Sequence, residues 1–210
     1  MSEYTLYWNP NSSSLAVQAV LEEVGAAYEL RLVDIAKGEH RSEAYRRINP
    51  NGLVPTLVLE DGTPVFESAA IVMYLADRYP EARLAPAPDA ITRARYNQWL
   101  FYLADTLYPA YKRFYYPQRL STDPADADKV RARAADDLLE LWGIVDAELG
   151  DGPWLLGEQF SAADIYLMMF TLWQPDRVAL LGRFPNVART AMAVAERSAV
   201  RRALAQHGEG

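Results

Sequence analysis

The sequence predicts an α/β domain over residues 1–82 followed by an all-α domain over residues 90–210, and three observations carry that prediction. Through the first domain the apolar period switches repeatedly between that of a strand and that of a helix. The stretch Leu84-Ala85-Pro86-Ala87-Pro88-Asp89 then has the Pro/Ala composition of a linker. Every apolar pattern beyond it has helical spacing, and no internal repeat is present.

Taken in order, Tyr4 to Trp8 reads as a short strand. Leu15, Val17, Ala19, Val20, Leu21 and Val24 then form a helical set, which Gly25 stops. Tyr28 to Val33 alternates again, and a second helical piece near Arg41 to Arg47 ends at Ile48-Asn49-Pro50-Asn51-Gly52. Thr56 to Leu59 and Val65-Phe66 flank the hairpin signal Asp61-Gly62, and Ser68 to Arg78 makes a further helix, closed by Tyr79-Pro80. The order β-α-β-α-β-β-α combines a right-handed parallel crossover with an antiparallel hairpin, which is the topology of a thioredoxin-like fold. In the second domain long helices are expected from about Ala90 to Tyr116, Ala125 to Leu149 and Ala162 to Leu181, with shorter ones near Val187 to Ala195 and Val200 to Ala205.

Composition narrows the chemistry. There is no cysteine and there are only two histidines, so disulfides, thiolate metal sites and a cysteine nucleophile are excluded and no metal is expected. Any sulfur chemistry must come from a ligand. A formal charge of −7 argues against a nucleic-acid partner. No uninterrupted apolar run has membrane-spanning length, and Met1-Ser2-Glu3 opens directly into a strand, so no membrane contact and a soluble, cytoplasmic protein are expected.

Three motifs carry the functional reading. In Asn51-Gly52-Leu53-Val54-Pro55-Thr56-Leu57 the proline lacks an amide donor and must sit at a sheet edge, a strand start or a bulge. Val54 would then present its N–H and C=O to a ligand; an ordinary edge proline is the plain alternative. Eleven residues on, Phe66-Glu67-Ser68 opens a helix whose free amides and serine hydroxyl suit a carboxylate, with Glu67 able to hold an ammonium group. Simple capping is the alternative there, as it is for the third motif, the run Asn11-Ser12-Ser13-Ser14 between the first strand and the first helix. No Ser-His-Asp triad is visible, since His207 lies in the tail and His40 in a polar loop. In the helical half, Phe160-Ser161-Ala162-Ala163-Asp164-Ile165 reads as a structural capping box. Tyr108, Tyr111 and Tyr115 share one helix face and could line an apolar cleft.

Val54-Pro55, Glu67-Ser68 with the Ala-Ala-Ile-x-x-Tyr-Leu that follows, the Ile48-to-Gly52 approach and Ser161-x-x-Asp164 together resemble the cytosolic glutathione transferase family over nearly the whole chain. The resemblance implies a transferase that conjugates glutathione, its co-substrate, to small hydrophobic electrophiles in detoxification, acting as a homodimer. It also implies a cis Val54-Pro55 bond, with Val54 pairing its backbone to the cysteinyl part of glutathione. Glu67 and Ser68 would hold the γ-glutamyl amine and carboxylate. Leu53 stands where a side-chain amide donor is frequent, and Lys37, His40 and Arg41 stand where the glycyl end is often met.

For the catalytic group the pattern is similar to the bacterial beta-class Pro-Gly-x-Cys-Ser-Leu, which puts Ser13 at the cysteine. A serine-type alignment selects Ser12, and anchoring on the downstream helix selects Asn11. The family's tyrosine position falls at Trp8, which would border the electrophile together with Tyr108, Tyr111 and Tyr115. The beta-class Asn and His of the fourth helix fall at Phe101 and Tyr108. Peroxidase, dehalogenase or isomerase chemistry on the same scaffold, and a non-catalytic binding module, are the competing readings.

Overall fold

Alternation along β1 (Tyr4–Trp8) puts Tyr4, Leu6 and Trp8 on a buried face, while Thr5 and Tyr7 look the other way. The structure, a computed structural model, describes residues 3–209. Helix α1 (Ser14–Val24) follows and ends at Gly25, whose φ of 69° supplies the left-handed step that turns the chain into β2 (Tyr28–Leu32). The short α2 (Glu43–Arg46) is capped by Ser42, whose hydroxyl accepts the Tyr45 N–H at 3.2 Å. β3 (Thr56–Val58), β4 (Pro64–Phe66) and α3 (Ser68–Arg78) complete the α/β part.

The strands form one mixed sheet in the order β2-β1-β3-β4, with β1 parallel to β2 and both β1–β3 and β3–β4 antiparallel. This is the thioredoxin-like arrangement. β3 lies inside the sheet, so of the three settings open to Pro55 the strand start is the one realised.

The helical part holds α4 (Ile91–Phe101), α5 (Tyr108–Tyr115), α6 (Ala127–Leu149), α7 (Ala162–Leu172), α8 (Arg177–Arg183), α9 (Pro185–Ala195) and α10 (Ser198–His207). The long helix expected from about Ala90 to Tyr116 runs unbroken over residues 91–115, with one change of bonding inside it, whereas the one expected from Ala162 to Leu181 is divided. Pro109 has no N–H to donate, and the chain just before it widens into a π-helical turn, Tyr102–Leu107, between α4 and α5. Pro175 separates α7 from α8. Among the described residues no helix is long and apolar enough to cross a membrane.

The chain divides into two compact units, one of residues up to Ala87 joined by those from Ala193 onward, the other Pro88–Met192. The sequence reading ends the first domain at residue 82 and assigns all of 90–210 to the second, whereas α10 returns to the first unit. Its reason is specific. Arg197 grips Glu23 with two bonds, 2.6 and 2.8 Å, Arg202 reaches Glu22 at 2.6 Å, and the His207 ring packs on the Trp8 ring with centroids 4.8 Å apart. In the second unit Asp164 is fully buried; it accepts the Leu155 N–H at 2.8 Å, the Ser161 N–H at 2.8 Å and the Ser161 hydroxyl at 3.0 Å. Burial pushes this carboxyl up to about 6 against the pull of those bonds.

Candidate functional site

Strand register brings the three motifs of the first unit to one end of the sheet. Tyr7 pairs with Thr56, and Thr56 pairs with Phe66, so one residue further along Pro55 is level with Trp8 on one side and Glu67 on the other. At about 4.8 Å per strand spacing, Trp8, from which the serine loop leaves β1, and Glu67 stand about 10 Å apart with Val54-Pro55 between them. An extended tripeptide spans about 10 Å.

The serine loop leaves β1 through Asn9, whose side-chain amide donates to the Val33 carbonyl at 2.9 Å. Asn11 takes φ 54°, a left-handed position that asparagine tolerates and that the beta-class glycine would favour. Ser12 and Ser13 then differ sharply. The Ser12 hydroxyl lies 2.6 Å from the Asn9 carbonyl, 2.8 Å from the Ser14 hydroxyl and 3.2 Å from the Ser14 N–H. The single Ser12 proton is shared between the Asn9 carbonyl and the Ser14 hydroxyl, and Ser12 accepts the Ser14 N–H. Ser13, the N-cap of α1, is buried and makes no side-chain cap bond; its hydroxyl enters no hydrogen bond with another described residue. Of the two serine protons, that of Ser13 is uncommitted. Tyr7 lies on the opposite sheet face against the Tyr45 ring, its hydroxyl accepting from Arg31 at 3.3 Å.

The Val54-Pro55 bond is cis. The carbonyl just before it, that of Leu53, accepts the Tyr45 hydroxyl at 2.6 Å and the Asn49 side-chain amide at 2.9 Å. Thr56 stands 3.0 Å from both donors, and all three side chains are buried. The Leu53 side chain itself is 52% exposed and apolar, with no donor to offer. Neither backbone group of Val54 has a partner among the described residues.

Glu67 is the N-cap of α3, but its side chain makes no capping bond and is exposed, so simple capping does not explain it. Its φ of 71° with ψ 105° is a strained setting for a side-chain-bearing residue. Ile71 N–H makes the first bond of α3, to the Glu67 carbonyl at 3.0 Å, which leaves the preceding turn's N–H groups outside the ladder. Ser68 beside them is buried.

The basic residues are less alike than the sequence suggests. Lys37 is tied to Asp34 at 2.9 Å, and Arg41 donates to the His40 ring at 3.2 Å. His40 itself is drawn to the Val54 turn through Gly52, at φ 61°, where a Cβ would stand 2.6 Å from the His40 carbonyl oxygen. His207 is no tail residue. It closes α10, is 5% exposed, and burial pushes its imidazole down to about 4.

In the helical unit, the helix-face spacing divides on inspection. Tyr111 is 1% exposed and belongs to the core: its hydroxyl donates to Gln174 at 3.1 Å and accepts from the Trp142 indole at 3.0 Å, and burial raises its pKa. It therefore does not line an open cleft. Tyr115 is 45% exposed, with its hydroxyl given to the Trp173 carbonyl. Tyr108 is half-buried against Phe170 and Trp173, under the Lys112 ammonium group. Sequence reasoning gave no role to Tyr45 or to the Thr56 hydroxyl, and only the fold brings them to the Leu53 carbonyl and to each other.

Two family models match the chain, the glutathione S-transferase N-terminal domain over residues 12–78 and the glutathione S-transferase C-terminal domain over residues 128–189. Glutathione S-transferase GstA of Escherichia coli O157:H7 is 32% identical across 97% of this chain and 98% of its own. Maleylacetoacetate isomerase of Pseudomonas aeruginosa is 30% identical across 97% of this chain and 95% of its own. Among solved structures, a glutathione transferase homologue from Sulfitobacter with bound glutathione superposes with a TM-score of 0.91 at 30% identity, covering 100% of both chains.

Proposed function

The chain belongs to the glutathione S-transferase family, and we propose that its first unit lays glutathione across the end of the sheet where Ser13, Val54 and Glu67 converge. The observation that supports this reading is the register: Trp8 at the root of the serine loop, Pro55 beside Val54, and Glu67 fall level across the sheet over about the length of one tripeptide. Val54 pairs with the cysteinyl backbone, and Glu67 and Ser68 at the α3 N-terminus take the γ-glutamyl ammonium and carboxylate. Leu53 and His40 border the glycyl end.

Chemistry requires the thiolate. A free thiol of pKa about 8.5 is only a few per cent ionised at pH 7, and lowering it by about two units needs roughly 2.7 kcal/mol. One hydrogen bond to a charged acceptor supplies about 1.5–3 kcal/mol, and a helix N-terminus about 0.3–1 more. The uncommitted Ser13 hydroxyl at the start of α1 therefore suffices as a donor to sulfur, without acting as nucleophile or base. The thiolate then adds to a small hydrophobic electrophile or displaces a leaving group from it. We propose a cytoplasmic homodimer, as the family resemblance implies.

Ser13→Ala is expected to lower the conjugation rate about tenfold to a thousandfold, as loss of a transition-state donor does, with glutathione affinity little changed. Ser12→Ala, which removes a loop brace, should leave the thiol pKa in place. Steady-state kinetics and thiolate absorbance distinguish the two; equal effects of both substitutions would refute the assignment. A second reading, glutathione-dependent isomerisation, is favoured by the similarity to maleylacetoacetate isomerase. It leaves the glutathione site unchanged, and a panel of conjugation and isomerisation substrates separates it.

A further inference from the structure

Resting on the reading that Val54 pairs with glutathione, we infer that Tyr45, Asn49 and Thr56 are positioning residues that aim the Val54 N–H at the ligand. One peptide group links the cluster to the ligand side. The Leu53 carbonyl and the Val54 N–H belong to the same planar unit, which is trans, so they point in opposite directions. Whatever draws the carbonyl inward turns the N–H outward.

Two donors draw it inward, the Tyr45 hydroxyl at 2.6 Å and the Asn49 amide at 2.9 Å. Proton bookkeeping then settles the rest. Tyr45 has one proton, and it is spent on Leu53, so in the 3.0 Å Tyr45–Thr56 contact the threonine hydroxyl is the donor. Asn49 spends its second amide proton on the Thr56 oxygen at 3.0 Å, and its own carbonyl accepts the Asn51 N–H at 3.1 Å. Every proton of the cluster thus has one destination, and all three side chains are at most 5% exposed. A buried network with no spare donor has a single arrangement, so it holds the peptide plane in a single orientation. Gly52 adds to this, since only a residue without Cβ passes the His40 carbonyl and delivers Leu53 to the cluster.

The test uses Tyr45→Phe, Thr56→Val and Thr56→Ser in the full chain. Losing one hydrogen bond of the clamp should weaken glutathione binding about two- to tenfold, the range that one net hydrogen bond represents. Calorimetry and kinetics should show this in Tyr45→Phe and Thr56→Val as a raised KM for glutathione with kcat at saturation unchanged. Thr56→Ser, which keeps the hydroxyl, should bind as the parent does. The amide resonance of Val54 should move in the ligand-free Tyr45→Phe and Thr56→Val proteins. If Tyr45→Phe is too unstable to assay, the two Thr56 variants decide by themselves. Parental affinity in both Tyr45→Phe and Thr56→Val overturns the inference. A Val54 amide that stays unmoved when glutathione is added to the parent protein instead overturns the reading on which it rests.

Discussion

A single proton separates Ser12 from Ser13. Both lie in the same loop, and both satisfy one or other family alignment, but only the Ser12 proton is taken up, by the Asn9 carbonyl and the Ser14 hydroxyl. The same holds for His207, whose two ring nitrogens are buried without hydrogen-bond partners among the described residues. Its folded-state pKa, pushed down to about 4, lies below the unfolded value of about 6.5, so the unfolded chain binds more protons between those limits. Stability from the neutral ring is fully present above pH 6.5 and is lost as pH falls toward 4. By pH 4.5 the loss should be about 2–3 kcal/mol. Denaturant unfolding at pH 7 and 4.5 should show this in the parent chain, and His207→Phe, which keeps a ring against Trp8, should be less pH-sensitive by that amount. An equal pH dependence in both would contradict the buried-imidazole account.

At the scale of elements, α7 begins where Asp164 gathers three donors. Asp164→Ala would leave the N–H groups of Leu155 and Ser161 buried without acceptors and should cost about 2–5 kcal/mol, with Asp164→Asn, which retains one acceptor oxygen, losing less. Unfolding midpoints of the two variants check the ranking. This capping box was readable in Ser161-x-x-Asp164 because a cap is local, its partners three residues apart. The strands, the hairpin at Asp61-Gly62 and the proline at the start of β3 were readable for the same reason. Other features were not. Tyr111 and Tyr115 have equal claim to a cleft by spacing, and only tertiary neighbours make the first a core residue. Pro175 was a legible break within a predicted long helix, outweighed in the pattern by apolar residues that continued the period beyond it. Glu67 was readable as a helix start but not as a backbone held at φ 71°, because nothing in its own side chain favours that setting.

For the whole molecule, the feature least accessible to sequence is the return of α10 to the first unit. Its ion pairs join residues 174 and 180 positions apart in the chain, a separation on which local periodicity is silent. The consequence is that His207 in the first unit and Asp164 in the second act on stability in opposite senses as pH changes. His207 weakens the first unit in acid. Asp164, pushed up to about 6, makes the folded second unit the stronger proton binder between about pH 4 and 6, so its contribution is greatest below that window and is lost as pH rises through 6. Comparing the parent with His207→Phe cancels the Asp164 contribution and isolates the first unit.

The proposed site depends on the loops at one end of a four-stranded sheet, with the Ser13 hydroxyl, which bonds to no other described residue, as the proposed donor to sulfur. A crystal structure of the protein with glutathione tests this most directly. The account predicts the cysteinyl backbone paired with Val54, the γ-glutamyl head at Glu67 and Ser68, and the sulfur within about 3.5 Å of the Ser13 oxygen. A sulfur bonded instead to Ser12 or directed away from the loop, or a tripeptide bound elsewhere, would contradict it.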